Sequence, residues 1–104
     1  MKRLRHKFNA VRTEVAGRSY ASKAEAAYAK RLHVQKAAGE ILGWLEQVPM
    51  HLPGKTKYVL DFLVFTSSGE VIAVEVKGME TAVYKVKRRL VEEHYPWMPV
   101  EVVC

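Results

Sequence analysis

Cysteine is nearly absent from this chain: Cys104 is the single one in 104 residues. One thiol cannot close an internal disulfide, so a cystine-stapled secreted scaffold is excluded and a reducing compartment such as a cytoplasm is expected. No run approaches the ~20 apolar residues of a membrane-spanning helix, so no membrane partner is expected. Met1-Lys2-Arg3-Leu4-Arg5-His6-Lys7 is basic but leads into no apolar segment, so it does not read as a secretory signal. The histidines, at 6, 33, 51 and 94, follow no ligand spacing and have no cysteine pairs beside them. A zinc site of the usual kind is therefore not expected, and the four read as surface or DNA-adjacent positions.

Acids are also scarce. Eleven Asp and Glu face 17 Lys and Arg, for a net charge of +6. Residues 1–36 carry ten basic residues against two acids, Glu14 and Glu25. A second basic cluster is Lys85, Lys87, Arg88 and Arg89. Such a balance favours a polyanion partner, the alternative being a merely solvated basic surface. The candidate nucleic-acid contacts are Lys2, Arg3, Arg5 and Lys7 in a basic arm over residues 1–8, the second cluster, and Ser22 and Gln47.

Length and composition fit one small globular domain spanning 1–104. Asn9–Val15 and Arg18–Tyr20 can form a short hairpin about Ala16-Gly17. Ser22-Lys23-Ala24-Glu25 reads as a helix start, and an Ala-rich run carries the helix to Ala38, with Gly39 ending it. Ala24, Tyr28 and Leu32 form its expected apolar stripe, with Ala27 beside it and Glu25 at its edge. Ile41–Leu52 reads as an irregular strand whose Pro49 suggests an edge or a bulge. After the Pro53-Gly54 turn comes a strand hairpin over 57–77, broken by Gly78. A helix over Glu80–His94 follows, with Val83, Val86, Leu90 and Val91 expected inward and Lys85, Arg88, Arg89 and Glu92 outward. Val100–Val103 can add a last strand. Trp44, Tyr84, Tyr95 and Trp97 read as core or dimer contacts rather than platforms for bases.

Within the strand hairpin, three charged residues interrupt apolar runs: Tyr58-Val59-Leu60-Asp61-Phe62-Leu63-Val64-Phe65 and Val71-Ile72-Ala73-Val74-Glu75-Val76-Lys77. Charged side chains are almost never fully buried without a partner. Strand side chains alternate, so Glu75 and Lys77 share a face. If Ser67-Ser68-Gly69 is a three-residue loop with Gly69 at positive φ, Thr66 pairs with Glu70 and Asp61 falls opposite Glu75. Two carboxylates so placed lie about 5 Å apart. At an effective dielectric of 20 they repel by roughly 3 kcal/mol. A divalent cation turns that repulsion into affinity, and Mg²⁺ is usually held by one or two carboxylates plus phosphate oxygens and water. Such a site can cut phosphodiesters, with Lys77 orienting water or offsetting developing charge. The bland alternatives are a satisfied buried acid at Asp61 and a solvated strand end at Lys77.

Glu25 has two readings. Ser22-x-x-Glu25 is a capping box, in which Glu25 reaches back to the Ser22 N–H. A carboxylate at the helix edge can instead complete a metal cluster. Gln47 can bind a phosphate or a metal-bound water, or be a plain polar strand residue.

Lys57-Tyr-Val-Leu-Asp61-Phe and Ala73-Val-Glu75-Val-Lys77-Gly78 resemble the core of PD-(D/E)XK nucleases. Ser22-Lys-Ala-Glu25-Ala-Ala-Tyr28, Gln47-x-Pro49 and Thr81-x-x-Tyr84-Lys-x-Lys-Arg88 resemble a small phage and prophage branch, similar to archaeal Holliday junction resolvases. Leu60 stands where the superfamily name has Pro. The resemblance implies a mixed α/β, restriction-endonuclease-like αβββαβ core with Glu25, Asp61, Glu75 and Lys77 as the catalytic set. Glu25, Asp61 and Glu75 would be the ligands of Mg²⁺, with Mn²⁺ able to substitute. The expected activity is a DNA endonuclease acting on four-way junctions in a bacterial host cytoplasm. A resolvase nicks two strands symmetrically, so a homodimer is expected. The alternatives are a nuclease for flap, single-stranded or other branched DNA, and a non-catalytic nucleic-acid-binding module.

Overall fold

The computed structural model describes residues 13–77 and 80–103. The basic arm with Lys2, Arg3, Arg5 and Lys7 lies outside them, as do His6, Gly78 and Cys104. A hairpin of β1 (Thr13–Val15) and β2 (Arg18–Tyr20) leads into helix α1 (Lys23–Ala37). Strands β3 (Ile41–Leu52), β4 (Thr56–Thr66) and β5 (Val71–Val76) follow, then helix α2 (Ala82–His94) and strand β6 (Val100–Val103). The main sheet has the order β3-β4-β5-β6, with antiparallel pairing up to β5 and a parallel β5–β6 pair bridged by α2. The fold is mixed α/β, and α1 to β6 run in the expected αβββαβ order.

Local chemistry sets these boundaries. Ala16 and Gly17 both take positive φ, 51° and 82°, the two-residue turn whose twist suits a hairpin. The Ser22 hydroxyl caps α1 by accepting the Glu25 N–H at 3.1 Å. Thr81 caps α2 in the same way, accepting the Tyr84 N–H at 3.1 Å. At the β4–β5 turn, Gly69 has φ 95° and Thr66 donates its N–H to the Glu70 carbonyl at 2.9 Å. That turn fixes the register Phe62↔Val74, Leu63↔Ala73, Val64↔Ile72 and Phe65↔Val71, as the three-residue loop requires. Pro49 sits in β3, an edge strand of the main sheet, where a missing N–H leaves no ladder bond unmade.

The sheet separates two apolar clusters. On one face Ala26, Tyr28, Ala29 and Leu32 of α1 pack with Tyr20, Ile41, Phe62, Val64 and Val74. On the other, Tyr84 and Val91 of α2 pack with Met50, Leu52, Tyr58, Leu60, Ala73 and Met98. The buried face of α1 is therefore turned from the expected stripe: Ala24 and Ala27 are exposed and Ala26 and Ala29 are buried. In an Ala-rich helix the apolar residues lie all round, so periodicity marks the face poorly. In α2 the expected inward Val83 and Val86 are 66% and 53% exposed, and Tyr84 takes their place. Trp97 is likewise exposed, whereas Trp44 is half-buried with its ring edge-on to His33.

Apart from a bulge between Ile41 and Gly43 at the start of β3, alternation fails at one matched place in two neighbouring strands. Along β4, Tyr58 and Leu60 face α2, but Phe62 and Val64 face α1. Along β3, Trp44 faces α1, but Val48, Met50 and Leu52 face α2. The pairs Glu46↔Phe62 and Val48↔Leu60 bracket the change, so Gln47 and Asp61 meet at it. Gln47 has φ 53°, a left-handed backbone uncommon for a non-glycine residue. Such local costs concentrate at functional positions.

Candidate active site

The β4–β5 ladder stops at Phe62↔Val74, one step short of Asp61 and Glu75. Beyond it, side chains replace the missing backbone bonds. The Asp61 N–H donates to Glu75 Oε2 at 2.8 Å, and the Val76 N–H donates to Asp61 Oδ2 at 2.8 Å. The acids thus bridge the two central strands where their ladder ends. Glu75 is 2% exposed, and its Oε1 accepts the Tyr58 hydroxyl at 2.7 Å. Burial and then that bond drive the Tyr58 pKa far upward, so Tyr58 stays a donor to Glu75.

Lys77 follows Glu75 on the α2 side of the sheet. Its ammonium lies 4.8 Å from the Tyr84 ring centre, and the Arg88 guanidinium lies 5.7 Å from the same ring. Cations over an aromatic face are held by its quadrupole. Tyr84 therefore steadies the Lys77 ammonium. Arg88 also pairs with Glu80 at 3.4 Å. Its charge is engaged within the protein, while Lys85 and Arg89 are exposed and Lys87 is half-buried.

Glu25, on α1, lines the same cleft as Asp61. Burial raises its pKa most, then the negative charges of Asp61 and Glu75, with Lys77 opposing them. Burial likewise raises Asp61, against the Val76 N–H, Lys77 and the Gln47 side chain. Glu75 is raised by burial first, against its hydrogen bond from Tyr58, with Asp61 adding repulsion. Electrostatics therefore couple Glu25, Asp61, Glu75 and Lys77, the four residues the sequence singles out. Ser22 remains a cap.

A cleft of ≈ 310 Å³ opens between the β1–β2 hairpin, α1 and the break in β3 and β4, with Arg18, Tyr20, Glu25, Glu46, Gln47 and Asp61 on its walls. Glu46 is not among the residues expected from sequence. Its Oε2 accepts the Tyr20 hydroxyl at 2.6 Å and the Trp44 indole N–H at 2.9 Å. Its Oε1 accepts Arg18 Nε at 2.9 Å. Burial and the Glu46 bond push the Tyr20 pKa up to about 12. The available signal is an acid two residues from Trp44, hence on the same strand face.

The donor set suits a hard divalent cation. Asp61 and Glu75 offer oxygens only, and an oxygen that accepts one N–H or O–H keeps a second lone pair. Among the described residues no three Asp, Glu, His or Cys groups close into a ready cage. One or two carboxylates are the protein share that Mg²⁺ commonly takes, the remainder being water and phosphate.

A stability prediction follows from the raised carboxyl pKa values. An acid whose folded pKa exceeds its unfolded value binds protons more tightly when folded, so its stabilising share is full at low pH and lost as pH rises through the folded value. The window opens above the ordinary values of 3.8 for Asp and 4.5 for Glu. A cation that binds only the folded, ionised site reverses this loss. At ten times its Kd it should add about 1.4 kcal/mol, or roughly 6–11 °C in Tm for a domain of this size. Differential scanning fluorimetry with Mg²⁺ or Mn²⁺ should show that gain near pH 8 and little of it near pH 4. A gain equal at both pH values, or none, would contradict a carboxylate metal site.

The fold and cleft define a small mixed α/β domain with paired acids where the ladder between its two central strands ends. Residues 5–104 match the family model described as "Protein of unknown function (DUF1064)", and the chain belongs to that family. No curated protein matches the chain. No solved structure matches it either.

Proposed function

We propose that this chain is a Mg²⁺-dependent DNA endonuclease with a restriction-endonuclease-like core, specific for branched DNA and in particular for four-way junctions. The reading is supported chiefly by one observation: where the β4–β5 ladder ends, the Glu75 carboxylate accepts the Asp61 backbone N–H and the Asp61 carboxylate accepts that of Val76, with Lys77 one alternate residue beyond Glu75. Metal bound there would polarise the scissile phosphate and acidify a water. Asp61 and Glu75 would hold it, with Glu25 as a further ligand on the α1 side. Lys77, steadied by Tyr84, would offset charge on the phosphate as the bond breaks. Gln47 would fix Asp61 through its side-chain amide.

Net positive charge supports a polyanionic substrate. Two symmetric nicks require two such sites, so the active form would be a C₂ homodimer. No helix among the described residues is long and apolar enough to cross a membrane. A host cytoplasm would supply both DNA and Mg²⁺. The deciding experiment is a cleavage panel of four-way junction, flap, single-stranded and linear duplex DNA, each with Mg²⁺, Mn²⁺ or EDTA. Paired metal-dependent nicks in the junction alone would support the resolvase reading. Cutting of flap or single strands would move the substrate. Binding without any cutting would leave a nucleic-acid-binding module.

The basic surface carries its own prediction. Lys85 and Arg89 are free to meet phosphate, whereas Arg88 is engaged by Tyr84 and Glu80. Lys85→Ala/Arg89→Ala should weaken binding to every DNA and reduce the slope of log K against log salt by about 0.9 for each duplex phosphate no longer neutralised. Arm neutralisation at Lys2, Arg3, Arg5 and Lys7 should act in the same way. Arg88→Ala should instead reduce turnover by loosening Tyr84 and Lys77. Titrations in Ca²⁺ and turnover in Mg²⁺ separate the two. Equal affinity and slope in the double variant would mean that this helix face is only solvated surface.

A further inference from the structure

Arg18 takes no part in the chemistry proposed for the acids, yet its setting is unusual for a surface arginine. Its side chain is 67% exposed, but the carboxylate that holds it is only 10% exposed. Glu46 is fixed by the Tyr20 hydroxyl and the Trp44 indole, and it takes Arg18 through Nε at 2.9 Å. A bond through Nε leaves the terminal nitrogens of the fork, beside the Tyr20 hydroxyl, with N–H donors for a second anion. Arg18 also follows the tight Ala16-Gly17 turn, so its backbone is set by a hairpin. The guanidinium is therefore held by a buried acid at the wall of the cleft that contains Asp61, Glu25 and Gln47.

That wall needs a cation that does not collapse inward. Among the described residues the cleft has three acids, Glu25, Glu46 and Asp61, and Arg18 is its one Lys or Arg. A free arginine would pair with Asp61 or Glu25 and neutralise them. Glu46 prevents this by holding Nε, so the two acids stay available while the fork faces solvent. An approaching phosphodiester would otherwise meet three carboxylates. Planar forks recognise phosphate oxygens in pairs.

We infer that Arg18, positioned by Glu46, is a phosphate-binding site that seats the substrate strand beside Asp61. This rests on the nuclease reading and names a further substrate-positioning group within it. Arg18 touches a phosphate of the bound strand. Glu46 acts through Arg18 and is a positioning residue.

The test measures binding apart from chemistry. A four-way junction and a linear duplex are titrated in Ca²⁺ at several salt concentrations, then turnover is measured in Mg²⁺. Arg18→Ala should weaken binding about 10–100-fold, reduce the salt slope by about 0.9, and raise KM more than it lowers kcat. Arg18→Lys should restore the slope but only part of the affinity, because a point charge replaces a fork. A merely structural Arg18 would change Tm and leave the salt slope alone. Glu46→Gln should weaken DNA binding while keeping the slope, since Arg18 keeps its charge and loses its orientation. If Glu46→Gln misfolds, the Arg18 pair still decides the matter. Unchanged Kd and slope in Arg18→Ala, with wild-type protein binding and cutting DNA, would overturn this inference and leave the nuclease reading intact. A wild type that neither binds nor cuts any of these DNAs would overturn both.

Discussion

Asp61→Asn and Glu75→Gln should each abolish metal-dependent cleavage while leaving the metal-free protein as stable as the wild type or more so. The two halves of this result come from different atoms. The proposed cleavage would need the negative oxygens, which an amide does not supply to a divalent cation with comparable strength. Folding needs the acceptors, and an amide keeps one. In Asp61→Asn the amide oxygen can still accept the Val76 N–H made at 2.8 Å to Oδ2. In Glu75→Gln the amide oxygen can accept the Asp61 N–H, and its NH₂ can donate to the Tyr58 oxygen, which turns from donor to acceptor. Each change also removes one of three mutually repelling acids, whose burial already disfavours their charged forms. Nicking of a labelled junction and Tm in EDTA are the two measurements. Wild-type nicking in either variant would remove the site. A collapse of Tm by tens of degrees would mean that the acids are structural braces for the two strands.

The pairing of those acids was legible because a turn, rather than a side chain, sets it. Ser67-Ser68-Gly69 admits few loop geometries, and its positive φ at Gly69 determines every pair back along β4 and β5. Counting then places Asp61 against Glu75. What counting misses is that the ladder has ended there, because period two assumes an unbroken strand. The break at Gln47 and Asp61 lets Asp61 interact with Glu25 on the α1 side and with Lys77 on the α2 side. No residue type announces it: Gln47 adopts a left-handed backbone without being Gly, Asn or Asp.

The helices were legible at their ends and less so in their faces. Ser22 and Gly39 mark the limits of α1 by local hydrogen bonding, which composition reveals. Its face is decided by packing against Phe62 and Val74, a tertiary matter. In α2, Tyr84 outcompetes Val83 and Val86 for the interior because its ring fills the space beside Tyr58, 6.1 Å between centroids. It also seats Lys77. A valine there could do neither, so the misread face of α2 belongs to the candidate site as much as to the core. Glu46 escaped notice for a related reason. Its partners Arg18 and Tyr20 come from a hairpin more than twenty residues away, and no spacing rule links them.

Glu25→Gln should lower Mg²⁺-dependent turnover by at least about 100-fold, beyond the effect usual for a group that only supports a ligand. Mn²⁺ should restore part of the loss. Helix α1 should remain intact, because the cap observed here uses the backbone N–H of residue 25 as donor to the Ser22 hydroxyl at 3.1 Å. That bond does not depend on the side chain, and Gln can fill the third position of a capping box in any case. The side chain's own environment is the cleft, where burial and then Asp61 and Glu75 raise its pKa and Lys77 opposes them. Replacing the carboxylate therefore leaves Tm unchanged or higher in the metal-free protein. It should also shrink the Tm gain produced by Mg²⁺ or Mn²⁺, a readout that requires no substrate. Unchanged turnover together with an unchanged metal-induced Tm gain would mark Glu25 as a helix-start residue alone. The candidate site would then consist of Asp61, Glu75 and Lys77.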